Sequence, residues 1–428
     1  MIEQTLDYLY GLKREGIKMD LRATREFAEH LGNPQDKFKS IHIAGTNGKG
    51  SIASYVYNIL RQENKTGMYT SPHLLDFNER IIMGTEPIPN QYIIDFMNSN
   101  REYIDDLALH YRNPTFFETT TVMAFKYFAD SNADYAAVEV GLGGRLDSTN
   151  ILVPEVSIIA QIGYEHYQRL GCSLTSIAHE KGGIIKNNRP VVLLDDKPEV
   201  VAEIRKISDV RNSRLITVNN YCSVSDLEYS LDGMSFRIKT PQDEYHIKTS
   251  NLGMFQVKNV CAAVSAMEAL PEGSPGKSVI ENGIMNSRWS SRFEVISKEP
   301  LIIMDSSHNP PAASALVETF QKFVDRKPTL VIGMLDDKDY FAYMSILRKI
   351  SDTVILTTPD EPERSIDPQI LGKNIGHMFP HMKVIRDPIE AYNYAKSTSD
   401  CILVTGSMYL VGLLKKYLNS SVRPFNVD

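Results

Sequence analysis

The spacing of apolar residues changes several times along the chain, and each change predicts an element. "FKSIHIA", Phe38 to Ala44, is an apolar run the length of one buried strand, whereas "SIASYVYNILRQ", Ser51 to Gln62, spaces its apolar residues for a helix. "ADYAAVEVG", "VSIIAQIG" and "PVVLLDD" read as further strands among helical patterns. Such alternation predicts a mostly parallel sheet covered by helices. From Glu228 to Asn251 the period falls to two around a Leu-Asp-Gly turn, which predicts a small antiparallel sheet. Alternation resumes at "PLIIMDSSHNP" and continues through "PTLVIGML", "DTVILTTP", "MKVIRDP" and "CILVTGS", predicting a second, smaller Rossmann-like α/β domain. The expected domains are residues 1–296 and 297–428, divided near Ser297 after "RWSSRFEVISKEP".

The first strand and its helix are joined by "HIAGTNGKGS", His42 to Ser51. The usual phosphate-loop spelling GxxxxGK[ST] is not met, since Ala44 stands four residues before Gly48 and Gly50 separates Lys49 from Ser51. The physical requirement is met. A glycine-rich turn at a strand-to-helix junction points backbone N–H groups and the positive end of a helix at one spot, where polyphosphate oxygens can sit. Lys49 adds a mobile charge and Ser51 a hydroxyl able to ligate magnesium. The alternative is a turn whose glycines only permit positive φ. The coincidence of glycines, lysine and hydroxyl favours phosphate, and with it a domain of the P-loop type.

Composition narrows the class. A chain of 428 residues is long for one core, which agrees with two domains. A net charge of -7 argues against nucleic acid held by general electrostatics. No apolar run approaches a membrane span, and the amphipathic, partly acidic "MIEQTLDYLYGLKREG" fits neither a secretory signal nor a transit peptide. Cys172, Cys222, Cys261 and Cys401 lie far apart and form no CxxC pair, so neither a disulfide framework nor a cysteine zinc site is expected. The expectation is a cytoplasmic enzyme with small-molecule substrates.

In open α/β sheets ligands gather at the carboxyl ends of strands. Those ends carry "HIAGTNGKGS", "VEVGLGGRLDSTN", "AQIGYEHYQRLG" and "IIMDSSHNP". With "TSPHLLDFNERI", "FFETTT", "EKGGIIK", "NLGMFQVKN", "RWSSRF" and "TGSMYLVG", they run nearly end to end in the order seen in the Mur ligase superfamily. The chain resembles most closely its folate branch, the folylpolyglutamate and dihydrofolate synthases.

That resemblance implies ATP-driven amide ligation. The γ-phosphoryl group of ATP passes to a substrate carboxylate, and the amino group of L-glutamate displaces phosphate from the acyl phosphate. The acceptor is tetrahydrofolate or dihydropteroate, and the enzyme acts as a monomer with two magnesium ions. By resemblance the loop Gly45, Thr46, Asn47, Gly48, Lys49, Gly50 and Ser51 binds ATP, while Ser51, Ser71, Glu139 and His166 hold magnesium. Lys181 matches a position often carbamylated; an exposed helix lysine is the alternative. Pro72, Asn78, Arg80, Glu118, Thr119, Thr120, Asp147 and Asn150 lie near the folate, with a solvated loop as the competing reading. Asn259 and Gln256 match adenine contacts, Arg292 a phosphate contact and Asp305 a ribose contact. His308 and Ser407 lie where glutamate is handled, and Lys338 in "GMLDDKD" sits on another strand-end loop facing a cleft between the domains. The expected catalytic set is Lys49, Lys181, His308, Glu139 and His166.

Several positions depart from the family pattern. Tyr164-Glu165 stands for the usual Leu-Asp before His166, Phe255 for His before Gln256, Ser290-Ser291 for Pro-Gly, and "DSSHNP" for DGAHNP. Two rival functions remain: a peptidoglycan-type Mur ligase, disfavoured because "HIAGTNGKGS" begins so early, and a catalytically silent nucleotide-binding protein.

Overall fold

The computed structural model describes residues 1–12, 18, 20–164, 170–361 and 364–422. Cα proximity divides the chain into two compact units. The first comprises residues 1–227, 235–248 and 258–287, and the second residues 228–234, 249–257 and 288–428.

The first unit is built on an eight-stranded sheet. Its strands are β1 (Lys39–Ala44), β2 (Thr66–Tyr69), β3 (Ile81–Met83), β4 (Glu86–Pro87), β5 (Tyr135–Glu139), β6 (Val156–Ile159), β7 (Val191–Leu193) and β8 (Leu215–Thr217), in the order β4-β3-β2-β5-β1-β6-β7-β8. β2, β5, β1, β6, β7 and β8 run parallel, and β3 and β4 add an antiparallel edge. β1 lies between β5 and β6, where the chain's windings to the two sides of the sheet part. Ligands of open α/β sheets collect at that place, beyond the strand ends. β5 and β6 are buried throughout, and β1 from its second residue onward, as strands covered on both faces must be. On one face Ala136 and Val138 join a core with Phe116, Phe125 and Phe128; on the other Ala44, Val140 and Ile159 join Ile177, Ile184 and Ile204.

Five helices of this unit matter for the site: α1 (Ile2–Gly11), α2 (Lys49–Leu60), α3 (Phe116–Asp130), α4 (Leu174–Gly182) and α5 (Met254–Glu268), whose first residues belong to the second unit. α2 is buried from Ser51 to Leu60. It packs against α6 (Lys277–Asn286) so closely that a Cβ at Gly283 would lie 2.5 Å from Ile59 Cα. β9 (Ser223–Ser230), β10 (Gly233–Lys239) and β11 (Glu244–Thr249) form the small antiparallel sheet.

The second unit carries a six-stranded sheet of β12 (Glu294–Lys298), β13 (Leu301–Met304), β14 (Thr329–Ile332), β15 (Thr353–Leu356), β16 (His381–Val384) and β17 (Cys401–Thr405), ordered β12-β13-β17-β14-β15-β16. All are parallel except β12, which pairs antiparallel with β13. The division expected near Ser297 thus falls inside β12, and the second unit takes the chain from Arg288 onward. An edge hairpin strand leaves little period in the sequence, because its residues are only partly buried.

Candidate active site

The turn after β1 is shaped by close approaches that only glycine permits. Gly45 has φ +154°, and a Cβ there would lie 2.6 Å from that of Ala160. Gly48, at φ +92°, caps α2, and its Cβ would meet Asn259 Oδ1 at 2.8 Å. The turn is also pinned to the segment after β6. Thr46 N donates to Gln161 O at 2.8 Å. The Thr46 hydroxyl donates to Gly163 O at 3.1 Å and accepts from Gly163 N at 3.0 Å. Thr46 therefore serves the loop through its hydroxyl by holding its shape. Gly50 and Ser51 lie in the first turn of α2, with Ser51 buried. Lys49 Nζ lies 3.3 Å from Thr46 O and 3.9 Å from Glu139 Oε1.

Glu139 is the last residue of β5, paired in register with Ile43 of β1, so its carboxylate stands beside the loop. It is 5% exposed and accepts from Ser71 N at 3.2 Å. Carboxylate and serine hydroxyls are hard oxygen donors, the kind magnesium takes, with phosphate oxygens completing its shell. Among the described residues no three His, Cys, Asp or Glu side chains gather to hold a metal unaided. His166 and its neighbour Glu165 lie outside the described residues. Lys181, near the end of α4, is 1% exposed, so the reading of an exposed helix lysine is corrected.

The residues expected near the folate divide into two groups. Ser71 and Pro72 are joined by a cis peptide bond, and the loop beyond them closes on Arg80. Arg80 Nε donates to His73 Nδ1 at 2.8 Å, and its guanidinium lies 5.1 Å from the centroid of Phe116. Tyr10 of α1 stacks on the same ring at 5.5 Å. His73, Phe116 and Tyr10 were absent from the expected set, although His73 and Phe116 lie within the motifs that pointed here. Thr120 bonds Tyr69 OH at 3.2 Å, and Thr119 is fully buried with its hydroxyl unpaired among the described residues.

Four other candidates bond to the fold through their side chains, although Asn150 Oδ1 is buried without a hydrogen-bond partner among the described residues. Asn78 donates to Ile88 O and to Asn90 Oδ1. Glu118 accepts from both terminal nitrogens of Arg112 at 2.8 Å and from Thr115 N at 2.7 Å, as the N3 member of a capping box. Asp147 accepts from Leu142 N and Thr149 N, and burial raises its pKa against those bonds. Asn150 donates to Arg145 O and Gly183 O. The solvated-loop reading is corrected for Glu118, Asp147 and Asn150, which are all buried.

In the second unit, Asp305 follows β13 and is 3% exposed. Its carboxylate accepts from Phe293 N and Ser307 N, each at 2.8 Å. Ser291 and Phe293 flank Arg292 with φ of +62° and +46°, a left-handed conformation that non-glycine residues adopt at a cost. Asp305 thus holds a strained segment that carries Arg292, whose Nη1 donates to Ser291 O at 3.0 Å. His308 Nδ1 donates to Ser306 O at 2.9 Å. Ser407, 2% exposed, accepts from Tyr409 N beyond β17. Gln256 is fully buried. Lys338 is paired with Asp337 at 3.0 Å. A hydroxyl network of Ser307, Tyr343 and Thr405 ties the ends of β13 and β17 together, and burial raises the Tyr343 pKa. Nothing in the local spacing of those three residues announces it.

A family model described as the Mur ligase middle domain matches residues 43–267, and one described as the Mur ligase glutamate ligase domain matches residues 291–408. The dihydrofolate synthase/folylpolyglutamate synthase of Bacillus subtilis is 30% identical over 419 residues, 96% of this chain and 97% of its own length. The crystal structure of folylpolyglutamate synthase from Thermotoga maritima superposes with a TM-score of 0.87 at 33% identity, covering 98% of this chain and 97% of that one. That of the Mycobacterium tuberculosis folylpolyglutamate synthase, complexed with ADP and AMPPCP, gives 0.91 at 27% identity, covering 99% and 100%. With the glycine-rich turn, the strand-end carboxylate and the buried lysine in place along one fold, the chain belongs to the Mur ligase family, in its branch of folylpolyglutamate and dihydrofolate synthases.

Proposed function

We propose that this protein joins L-glutamate to a folate, to dihydropteroate or to both, using ATP and an acyl phosphate intermediate. The observation that carries the reading is the turn from Gly45 to Ser51 at the carboxyl end of β1, with Lys49 and Glu139 facing one another beside it. A carboxylate oxygen of the pterin substrate attacks the γ-phosphorus and ADP leaves. The glutamate amine then attacks the acyl carbon, phosphate leaves, and the amine releases its proton. No protein nucleophile is needed; the protein positions charged reactants and neutralises charge on the transferred group.

Backbone N–H groups of Gly45, Gly48 and Gly50 and the Lys49 ammonium neutralise the polyphosphate, while Asn47 N, which donates to Gln161 O at 3.3 Å, holds the shape of the turn. Ser51, Ser71, Glu139 and His166 would hold magnesium, which when bound offsets phosphate charge. Asn259 and Gln256 take the adenine, Asp305 the ribose and Arg292 the phosphates. Pro72, Arg80 and the Thr119-Thr120 pair border the folate, while His308 and Ser407 serve glutamate. Lys181 would carry a carbamate at its Nζ, as the family resemblance implies, an anion that would balance the cations around the phosphates. Asn78, Glu118 and Asp147 shape the pocket without touching substrate.

The test supplies dihydropteroate and tetrahydrofolate separately with ATP, magnesium and labelled glutamate, and reads the products by mass. A mass gain of one glutamate on either acceptor, abolished by Lys49→Ala, is expected. Phosphate release that ignores both glutamate and the pterin carboxylate would overturn the reading.

A further inference from the structure

The loop after β5, "GLGGRLDSTN", looks from its glycines like a second phosphate turn. Its glycines are used otherwise. A Cβ at Gly144 would lie 2.8 Å from Glu180 O and 3.0 Å from Lys181 O, and one at Gly183 would lie 2.5 Å from Arg145 Cα. The loop is thus pressed against the carbonyl end of α4, the helix that carries Lys181. The last carbonyls of a helix have no partner within it and must find donors elsewhere. Here the loop supplies them: Arg145 N donates to Glu180 O at 2.7 Å, and Asn150 Nδ2 to Gly183 O at 3.0 Å. The same Nδ2 reaches back to Arg145 O at 2.9 Å and so closes the loop on itself. The Arg145 guanidinium adds a bond to Glu180 Oε1 at 2.9 Å. At its other flank the loop is anchored to the sheet, for it leaves β5 directly after Glu139, and Thr149 Oγ1 bonds His42 Nε2 of β1 at 2.8 Å.

We propose that Asn150, with Arg145, is a positioning residue for Lys181: it fixes where the end of α4 stands relative to Glu139 and the phosphate turn. Neither residue touches substrate. The inference rests on the reading of Lys181 as part of the active site given above. A buried side chain on one element can act on a group held by another only while the backbone between them is rigid, and misplacement by about 1 Å can cost ~100-fold in rate. The amide of Asn150 suits the task because two carbonyl oxygens converge on it, and only a donor satisfies both.

The experiment is a double-mutant cycle on the full chain, with steady-state constants for ATP, pterin substrate and glutamate. Asn150→Ala should lower kcat about tenfold with each KM within about twofold of wild type. Lys181→Ala should lower it about 100-fold, and Asn150→Ala added to Lys181→Ala should change nothing further. A raised KM for the pterin substrate at unchanged kcat would make Asn150 a substrate contact and overturn the proposal. So would an unchanged kcat in Asn150→Ala, or an equal fall in both backgrounds. A wild-type kcat in Lys181→Ala would instead overturn the active-site reading of Lys181, an outcome separate from the other three. If Asn150→Ala does not fold, Arg145→Ala, whose side chain is half exposed, replaces it, with a fall of about twofold that must likewise vanish in the Lys181→Ala background.

Discussion

His42 sits fully buried on β1, three residues before the glycine-rich turn begins at Gly45. The Thr149 hydroxyl donates to Asp147, so it must accept from His42, which sets the ring as the neutral tautomer with hydrogen on Nε2. Burial, helped by the charge of Lys186, pushes the His42 pKa down to about 3. An unfolded histidine titrates near ~6.5. Below that value the unfolded chain takes up a proton that the folded one refuses, so the stability His42 contributes is fully present above about pH 6.5 and is lost as pH falls toward about 3. His42→Gln keeps a donor and cannot titrate. Its unfolding free energy, measured by denaturant between pH 6 and pH 4, should fall less steeply than wild type by about 1.4 kcal/mol per pH unit. Equal slopes would mean that His42 is hydrated or charged in the native state.

At the scale of elements, glycines decide how closely the pieces approach. Gly283 lets α6 lie against α2 with no side chain between them. A methyl group there meets backbone atoms of Asn58 and Ile59, which cannot swing aside as a side chain could. Gly283→Ala should therefore cost about 1–3 kcal/mol of stability despite its gain in helix propensity, and a denaturant midpoint equal to wild type would refute the close packing. α3 starts on a reciprocal cap between Thr115 and Glu118, and Arg112 neutralises the same carboxylate. That cap was spelled in the sequence as Thr-x-x-Glu, a signal that outranks a substrate contact for a carboxylate in a first helical turn. The pairing with Arg112 adds a cation that spacing alone did not single out.

For the whole molecule, a ligand that binds only the folded chain raises its stability by mass action. A nonhydrolysable ATP analogue at one hundred times its Kd should add about 2.7 kcal/mol, seen as a rise in Tm, and Lys49→Ala should remove most of that rise. An undiminished rise in the variant would move the triphosphate away from the turn. Among the described residues no helix is long and apolar enough to cross a membrane. The eight-stranded sheet of the first unit carries a separate core on each of its faces.

What the sequence determined by itself was whatever depends on order along the chain: the alternation of strand and helix, the turn with Lys49 and Ser51 at a strand end, and the motif that places Glu139 at another. Periodicity records one-sided burial, and a turn records its glycines, so both survive in one dimension. Tertiary structure decided which polar atoms remained for substrate. Asn78, Asp147 and Asn150 read as ligands because their types fit ligands, yet each is bonded to backbone carbonyls or amides of the fold. Lys181 read as either exposed or active, and only packing placed it 1% exposed. A buried polar group must find a partner, and which partner it finds depends on segments that meet only once the chain is folded.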